Sequence, residues 1–563
     1  VFCRLTKLII MSKCLFAIPL LILCVSCQMN PDKTDVGTIL FNGSIQTVDD
    51  SLTVVQAIAI QDGRIVAIGT TEEIKSKFAA SESIDLEGKN VYPGLIDPHC
   101  HFYGYGMSIR NADLRGTSSW DEVLAIVVKH QKANPTGWVL GRGWDQNDWE
   151  AKEYPSNKEL DALFPDQPVA LTRIDGHAVI ANTAALKIAG FTNTTLIDGG
   201  ELIVVDDELT GVLVDNATDS LKRMIPEPSS QEQTSGMLKA QENCFAVGLT
   251  SVGDAGLKWQ TIQLIDSIQQ SGDLKMRVYA MIESATEDLD TILPNGPMVT
   301  DRLTARSVKI YADGALGSRG ALLLEDYTDR PGHKGLLLHP ENELSAIMKL
   351  AHENGFQVCS HGIGDGAVRT VLNLYRPFLK GKNDLRWRIE HSQIVHPNDQ
   401  KTMVELNVVP SIQTTHATSD MYWAEERLGP NRIKYAYAYK SLLKVNGWIP
   451  NGSDFPIESI NPIFGFYAAV TRQDQKGWPD NGFQVENALT REEALRAMTI
   501  WAAKAQFQEN EIGSLDVGKK ADLTVLDRDI LAGETSDLFN TKVLMTILNG
   551  EVVFGQETFP SAP

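Results

Sequence analysis

The sequence predicts an α/β protein: a TIM (β/α)8 barrel with a small β-sandwich domain built from both chain ends and an inserted cap subdomain. In the middle of the chain, apolar strand-like runs alternate with amphipathic helical stretches, for example "ELSAIMKLAHENG" followed by "FQVCSH". Such alternation indicates a parallel sheet. Eight of these runs end in polar residues, and eight βα units close a barrel. Both chain ends instead carry short β-branched runs separated by Gly turns.

The length and charge of the chain limit what it can be. At 563 residues it is too long for one compact core, so at least two cores are expected. Its 72 acidic and 51 basic side chains give a formal net charge of −21 at pH 7, which disfavours nucleic acid as a partner. We therefore expect a small-molecule substrate, and the sequence does not define an oligomeric state.

The first 27 residues are predicted to be a signal peptide of the lipoprotein type, with translation starting at Met11. A basic start, the apolar run 15–25 and a small residue precede Cys27, which is the layout of an export signal. The stretch resembles a bacterial lipoprotein signal, although Cys24 stands where Leu is usual. The resemblance implies export and lipidation of Cys27, which would anchor the chain to a membrane. Gln28 in place of Asp favours the outer membrane facing the periplasm, and secretion without lipid is the alternative.

The remainder of the chain divides where its composition changes. Residues 28–90 contain β-branched runs with Asn-Gly, Asp-Gly and Glu-Gly turns and are predicted to be the first part of the β-sandwich. Residues 91–500 are predicted to form the barrel. Residues 501–563 again contain short strand-like runs separated by Gly turns, and they are predicted to be the second part of the β-sandwich, so that the two ends form one domain. The interval from about 105 to 240 is too long for one connection and is interpreted as a cap over the barrel mouth.

Eight barrel strands are predicted in chain order. They are "GLIDPHCHF", "GLTSVGDAG", "MRVYAMI", "SVKIYADGA", "FQVCSHGIGD", "WRIEHSQI", "VVPSIQTTH" and "WIPNGSDFP". Active sites of such barrels are built at the carboxyl ends of the strands. The polar residues that end these runs are therefore the candidates for function.

The first predicted strand places a cysteine between two histidines. Successive side chains on a strand point to opposite faces, so His99 and His101 lie together while Cys100 faces the helical layer. Two imidazoles on one face can chelate a divalent metal ion. Taken alone, the pair could equally be two polar residues that close a strand.

Residues able to bind a metal ion also end other predicted strands. They are Lys309, His361, His391 and Asp454. The chain has eleven histidines, and four of them fall at the ends of three barrel strands, which core packing does not explain. We therefore predict a metal site. Cys359 is a rival ligand by its spacing from His361, but its deeper position favours the role of a buried apolar residue.

The chain contains several longer motifs: "PGLIDPHCHF", "GWDQNDW", "RIDGHA", "GLTSVGDAG", "KIYADGALGSR", "SHGIGDGAV", "IEHSQ", "NGSDFP" and "GSLDVGKKADLTVLD". With these motifs it resembles the amidohydrolase superfamily, and within it the amidohydrolase-3 branch that includes the N-substituted formamide deformylases. The motifs extend over nearly all of the chain after the signal. The resemblance implies a metal-dependent hydrolase of carbon–nitrogen bonds other than peptide bonds, acting on a small amide, formamide or cyclic amide.

The resemblance also implies the metal ligands. Six residues match the ligand positions of the family: His99, His101, Lys309, His361, His391 and Asp454. In related enzymes the lysine is carboxylated and bridges two metal ions, which an unmodified ammonium cannot do because it has no free lone pair. We therefore expect two zinc ions, with iron or manganese as alternatives. If Lys309 instead forms a salt bridge with Asp313 or Asp454, a single metal ion would suffice.

The expected mechanism follows from this ligand set. A metal ion lowers the pKa of its bound water to about 7, so that hydroxide is available to attack a carbonyl carbon. Asp454, both ligand and catalytic base, would take the proton of the water and deliver it to the leaving nitrogen. Asp365 and Glu390 could orient the imidazole ligands, or could instead form caps or salt bridges.

Other polar and aromatic residues are candidates for the substrate pocket. They are Trp144, Asp145, His177, Arg319, Gln413 and His416. For Trp144, packing within the cap is the alternative role.

Two other functions remain open from the sequence. A mononuclear deaminase of the same superfamily usually has a glutamate after the fifth-strand histidine, whereas "HGIGDG" contains Asp365. A binding or regulatory lipoprotein on a catalytically inactive barrel would show the loss of one or more ligands, and none is lost. The two-metal hydrolase is therefore the preferred hypothesis.

Overall fold

The computed structural model describes residues 33–555, with the exception of residues 134, 136, 174–177, 198–199, 286–288, 318 and 382. The predicted signal peptide and the lipidation site Cys27 lie outside the described residues. Among the helices of the described part, none is both long enough and apolar enough to cross a membrane.

Eight parallel strands in the middle of the chain form a barrel. In chain order they are β1 (Leu95–Cys100), β2 (Leu249–Leu257), β3 (Arg277–Glu283), β4 (Leu303–Tyr311), β5 (Gln357–Gly362), β6 (Arg388–His391), β7 (Val409–Gln413) and β8 (Asn451–Gly452). Each strand pairs in parallel with the next. The short strand Met298–Val299 adds to β4 in the antiparallel direction. The predicted α/β class and TIM barrel are confirmed.

The barrel closes between β8 and β1, although β8 is only two residues long. The backbone N–H of Asp454 donates to the His99 carbonyl at 2.8 Å, and the N–H of His101 donates to the Phe455 carbonyl at 2.8 Å. These bonds join the segment after β8 to the end of β1. They therefore place Asp454 beside both histidines of the first strand.

The β-sandwich consists of two sheets that share one core. The four-stranded sheet contains Thr34–Phe41, Ala57–Gln61, Arg64–Gly69 and Phe78–Asp85, and the six-stranded sheet contains Ser44–Gln46, Val54–Val55, Asn90–Pro93, Leu523–Leu526, Val543–Leu548 and Glu551–Phe554. Asn90–Pro93 pairs with Leu523–Leu526, so the two chain ends meet in one sheet, as predicted. Leu40 from one sheet and Val525 and Ile547 from the other belong to the same buried cluster.

The cap contains a separate six-stranded sheet inserted after β1. Its strands are Ala112–Asp113, Val139–Trp144, Val169–Arg173, Ala178–Ala181, Gly200–Val205 and Glu208–Asp215. The first three pair in parallel, and the others pair antiparallel. Helices Phe102–Ser108 and Ser230–Ala246, on either side of this sheet in the chain, pack against each other. The division of the chain at the predicted boundary residues stays a prediction.

The described helices belong to the sandwich, the cap and the barrel, and those of the barrel connect its strands. The α-helices are Thr71–Lys77, Phe102–Ser108, Trp120–Ala133, Lys158–Leu163, Thr183–Ala189, Asn216–Lys222, Ser230–Ala246, Trp259–Ser271, Leu289–Ile292, Glu341–Glu353, Asp365–Tyr375, Pro397–Leu406, Thr414–Asp420, Ala424–Arg432, Tyr439–Asn446, Pro462–Thr471, Arg491–Ala497 and Ile500–Ala505. Short 3-10 helices are Gln146–Asp148, Leu293–Asn295, Ile433–Tyr435, Val485–Asn487 and Thr535–Asn540. In the helix before β5, the buried residues Leu344, Met348 and Ala351 recur at helical spacing and form its inner face.

Candidate metal centre

The six predicted metal ligands meet at the carboxyl-terminal mouth of the barrel. His99 is the penultimate residue of β1 and His101 directly follows the strand; Lys309 is in β4, His361 in β5, His391 in β6, and Asp454 lies two residues after β8. Asp454 Oδ1 is 3.1 Å from His101 Nε2 and 3.5 Å from His99 Nε2. Lys309 Nζ is 3.3 Å from His99 Nε2. The cluster is therefore assembled from five different strands around one carboxylate.

The ring of His391 joins the two halves of this cluster. Its centroid lies 4.9 Å from that of His99 and 4.5 Å from that of His361. One potential ligand atom from each of His99, His391 and Asp454 lies within 4.8 Å of the others, which is a distance that one metal ion can span. The same mouth thus brings together all four histidines that the sequence indicates.

Three of these rings have their Nδ1 atom fixed by an acceptor. His99 Nδ1 lies 2.5 Å from Glu390 Oε2, His101 Nδ1 lies 3.0 Å from the Ala255 carbonyl, and His391 Nδ1 lies 2.8 Å from Gln413 Oε1. Carboxylate and carbonyl oxygens only accept, so each Nδ1 carries the proton of the bond.

The neutral form of each of these rings consequently presents a lone pair at Nε2. In His99 and His101 this lone pair faces the carboxylate of Asp454, and a cation between these atoms would stabilise the arrangement. Imidazole nitrogens with one carboxylate are a donor set that suits zinc, iron or manganese. The residues present therefore fit a divalent metal ion.

Burial controls the protonation of most of these groups. It lowers the pKa of His99 to about 4 and that of His361 to about 3, and it also lowers the pKa of His391 and of Lys309. For Asp454, burial alone would raise the pKa, but the hydrogen bond with His101 and the nearby imidazoles outweigh it and hold the pKa below its usual range. The site thus combines three neutral imidazoles, those of His99, His361 and His391, with an ionised carboxylate, as metal binding requires.

His101 differs from the other rings in the direction of its shift. Burial lowers its pKa, but the hydrogen bond to Asp454 outweighs burial and raises the pKa overall. The proton that this shift favours would occupy Nε2, the same atom that can bind a metal ion. Proton and metal therefore compete for this nitrogen.

Two of the clustered residues have backbones in the left-handed region. The φ angle is 71° at His391 and 62° at Asp454. Such conformations cost non-glycine residues about 1–3 kcal/mol and cluster at functional sites. They lie at the ends of β6 and β8, where both side chains turn into the mouth.

Lys309 is buried, and no carboxylate oxygen of the described residues lies within 4.0 Å of its Nζ atom. Asp313 instead accepts backbone N–H groups from Leu322 at 2.8 Å, Ile363 at 3.1 Å and Gly364 at 2.9 Å. Its Oδ1 atom also lies 3.4 Å from His361 Nε2. The salt bridges between Lys309 and Asp313 or Asp454 are thus not formed in this structure.

The two predicted orienting carboxylates have different roles. Glu390 does contact an imidazole, but it is that of His99 across the barrel and not that of its neighbour His391. Asp365 forms no hydrogen bond with an imidazole of the described residues. Its carboxylate accepts hydrogen bonds from the Leu324 N–H at 2.9 Å and from the Tyr435 hydroxyl at 3.1 Å. The structure therefore supports the capping and bonding alternative for Asp365.

Gln413 and His416, predicted as substrate contacts, both lie at the mouth. Gln413 bonds to His391, so its oxygen orients a ring and does not face solvent. His416 belongs to the helix Thr414–Asp420 and not to a strand end, and its Nε2 atom is 3.8 Å from Asp454 Oδ2. In the described part of the chain, this nitrogen has no hydrogen-bond partner although it is buried.

The described members of the remaining substrate candidates each have a partner of their own. Trp144 is fully buried in the cap, where its indole N–H donates to the Leu171 carbonyl at 2.8 Å, so the structure supports its packing alternative. Asp145 forms an ion pair with Arg173 at 2.5 Å. Arg319 forms an ion pair with Asp329 at 2.7 Å. His177 lies outside the described residues.

Two cysteines close to the ligands occupy apolar surroundings. Cys100 is completely buried in the hydrophobic cluster that includes Met237 and Cys244 of the helix Ser230–Ala246. Cys359 lies in a small cluster with Ala255 and Met281, and its thiol donates to Gln357 at 3.4 Å. Neither belongs to the group of possible ligands found among the described residues.

Sequence reasoning missed Arg388, whose side chain is fully buried and bonds to Glu390 at 2.5 Å. The alternation rule that paired His99 with His101 also places Arg388 and Glu390 on one face of "RIEH". Applied to β6, it would have indicated a buried ion pair. It would not have indicated that the pair reaches β1, because that contact depends on the curvature of the barrel.

Comparison with known proteins identifies similar chains over most of this length. A family model described as the amidohydrolase family matches residues 82–554. Protein LONG AFTER FAR-RED 3 of Arabidopsis thaliana is 33% identical over 532 residues, which cover 91% of each chain. The N-substituted formamide deformylase of Arthrobacter pascens is 27% identical and covers 91% of this chain and 97% of its own. The crystal structure of an uncharacterized metal-dependent hydrolase from Pyrococcus furiosus is similar with a TM-score of 0.75 and 29% identity, covering 88% of this chain and 100% of that one.

Proposed function

The chain belongs to the amidohydrolase family and is a metal-dependent hydrolase, and from this premise we propose that it cleaves a non-peptide carbon–nitrogen bond in a small amide, formamide or cyclic amide. One observation carries the proposal: the imidazole lone pairs of His99 and His101 face the carboxylate of Asp454 at the barrel mouth. This end of a barrel is where such enzymes act.

The residues that would hold metal are the six at the mouth. A divalent ion bound there supplies Lewis-acid activation of water and of a carbonyl group. We propose two zinc ions with a carboxylated Lys309 as their shared ligand, and iron or manganese as alternatives. The position of Lys309 Nζ, 3.3 Å from His99 Nε2 and without a carboxylate partner among the described residues, supports this assignment over the salt-bridge alternative.

Asp454 is the proposed catalytic base and acid. Its low pKa keeps it ionised at neutral pH, so it can take a proton from the attacking water and return it to the leaving nitrogen. Oδ1 faces the histidines, whereas Oδ2 faces His416, so Oδ2 is the oxygen that exchanges the proton. His416 Nε2, which has no hydrogen-bond partner among the described residues, is assigned to the substrate.

Metal analysis of the purified chain tests the centre, and a substrate panel tests the bond. About two metal ions per chain would support the two-metal hydrolase, about one would support the mononuclear alternative, and none after incubation with zinc, manganese or iron would overturn both.

The panel contains N-formyl, N-acyl and cyclic amides, with aminated purines and pyrimidines as deaminase controls. Turnover of the controls alone, with release of ammonia, would replace the proposed bond by that of a deaminase.

Export and lipid anchoring are proposed from the N-terminal sequence alone. The basic start, the apolar run 15–25 and Cys27 support this proposal. Expression in a bacterium with radiolabelled palmitate should label the chain, and Cys27→Ser should abolish the label. An unlabelled, exported wild-type chain would instead indicate plain secretion.

A further inference from the structure

A fully buried ion pair lies directly behind the metal ligand positions. Arg388 Nε donates to Glu390 Oε1 at 2.5 Å, and the second oxygen of Glu390 accepts from His99 Nδ1 at 2.5 Å. The side chains of all three residues are completely inaccessible to solvent. Guanidinium, carboxylate and imidazole therefore form one continuous chain of hydrogen bonds.

This chain crosses the interior of the barrel. Arg388 and Glu390 belong to β6, whereas His99 belongs to β1, whose strand neighbours are β2 and β8. Arg388 makes a second contact with β1, because its Nη2 atom donates to the Pro98 carbonyl at 3.0 Å. The pair thus holds β1 at two points, the peptide that precedes His99 and the imidazole itself.

His99 differs from the other fixed rings in the charge of its partner. His101 and His391 donate to neutral oxygens, those of Ala255 and Gln413. Among these three rings, His99 is the one whose Nδ1 bonds to a carboxylate, and the Arg388 guanidinium donates to the other oxygen of the same carboxylate. A charged acceptor fixes the orientation of the ring and makes the opposite nitrogen a stronger electron-pair donor to a metal ion.

Stability alone does not account for such a pair. Removing two charges from water costs several kcal/mol per ion, and replacing a buried pair by apolar residues is often neutral or stabilising. We propose that Arg388 and Glu390 are positioning residues that hold His99 in its metal-binding orientation and strengthen Nε2 as a ligand. This inference rests on the proposed function, in which His99 binds metal.

Glu390→Gln is the first test, because it preserves the shape of the side chain and removes the charge. Disturbing the partner of a ligating histidine weakens metal binding about 10–100-fold. We expect this loss in zinc affinity, measured by competition with a chelator, and a shift of the visible absorption bands of the cobalt(II)-loaded protein. The bands report the ligand field at the ion, which a general loss of stability does not alter.

The double variant Arg388→Met/Glu390→Gln separates positioning from stability. Glu390→Gln alone leaves the Arg388 charge buried without its partner and should lower the thermal midpoint. The double variant removes both charges, so it should recover most of the midpoint while zinc affinity stays about 10–100-fold weaker. Recovery of affinity together with the midpoint would overturn the inference.

A matched control exists at the opposite end of the barrel. Arg277 of β3 and Asp522 form another buried ion pair, with 2.6 Å between Nε and Oδ2, at the amino-terminal end of the strand. Asp522→Asn should lower the thermal midpoint but leave zinc affinity and the cobalt bands unchanged. Wild-type affinity in all Glu390 variants would overturn this inference alone, whereas a wild-type chain that binds no metal would overturn the proposed function and the inference with it.

Discussion

Asp454 is the residue on which the chemistry of the mouth depends, because its two oxygens face different groups. Oδ1 lies within 3.5 Å of two histidines, and Oδ2 faces His416 at 3.8 Å. Its left-handed backbone lies two residues after the short strand β8. The single carboxylate of Asp454 can therefore contact metal on one side and substrate on the other.

At the same scale, Lys309 gives a direct test of the two-metal arrangement. Lys309→Ala should remove most bound metal and most activity, because a carboxylated lysine would be shared by both ions. Lys309→Met serves as the control for packing, since it fills the same buried space without a nitrogen. Both variants are measured by metal content and by hydrolysis of the best amide found.

The contrary result would be a Lys309→Ala protein that retains two metal ions and its activity. Retention of one ion with activity would instead favour the mononuclear site. Because Lys309 is deeply buried, circular dichroism and the thermal midpoint are needed to show that each variant is folded.

Cys100 and His99 are adjacent in sequence but face different layers, and their replacement should have opposite effects. Cys100→Ala should keep full metal content and cost about 1 kcal/mol of stability, because only the apolar contacts with the helix Ser230–Ala246 are lost. His99→Ala should lose metal because Nε2 is removed. Metal content by elemental analysis distinguishes the two, and loss of metal from Cys100→Ala would contradict the facing derived from strand alternation.

Strand alternation accounts for the part of the site that the sequence could predict. It separates Cys100 from His99 and His101, and the strand-end rule indicates the remaining ligand positions. It does not indicate which imidazole ring each orienting carboxylate contacts. Glu390 is adjacent to His391 in sequence but contacts His99, because that contact is made through space across the barrel.

At the scale of elements, ion pairs and hydrogen bonds attach the loop after β4 to the helix Ala424–Arg432. Asp329 accepts from Arg319 at 2.7 Å and also from Arg427 of the helix Ala424–Arg432. Arg432 of the same helix donates to the Asp326 carbonyl at 2.7 Å and to Thr328 at 2.9 Å. The predicted substrate residue Arg319 is therefore part of the attachment between loop and helix.

Removing the carboxylate at the centre of this attachment should loosen the loop locally. Asp329→Asn weakens two ion pairs that are partly exposed, so the expected cost is about 1 kcal/mol or less in global stability. Faster hydrogen exchange is expected within residues 319–330, with metal content unchanged. Glu426→Gln is the matched control, because Glu426 is exposed and lies 3.7 Å from the same Arg427. Equal exchange in wild type and Asp329→Asn would show that other contacts hold the loop.

Elements were predictable where periodicity is strong and less so where tertiary contacts define the chain. The runs that predict the first three strands match β1, β2 and β3 to within a few residues at each end. Within "WIPNGSDFP" only Asn451 and Gly452 form β8; Pro450, which directly precedes them, cannot donate a backbone hydrogen bond. The end of "VVPSIQTTH" is helical, so His416 lies on the helix Thr414–Asp420.

At the scale of the whole molecule, the sandwich is attached to the base of the barrel through charged groups. Arg277, at the start of β3, donates to Asp522 beside the strand Leu523–Leu526 and to the side chain of Asn549. Asp522 also accepts the Asn549 backbone N–H at 2.8 Å. The sequence indicated the shared domain from the similar texture of both ends, but the partner of Arg277 depends on how the two domains dock.

Removing one partner of this attachment should strongly destabilise the joined domains. Asp522→Ala leaves the Arg277 guanidinium buried without its carboxylate, and breaking such a pair costs about 3–5 kcal/mol. Asp301→Ala is the matched control: it removes an exposed carboxylate that pairs with Lys520 at 2.6 Å and should cost about 1 kcal/mol or less. Thermal midpoints of both variants, measured with metal bound, should therefore fall far more for Asp522→Ala. The metal content should stay at the wild-type level in both variants, because the pair lies at the end of the barrel opposite to the histidines. Similar midpoints for the two variants would mean that apolar packing alone holds the sandwich to the barrel.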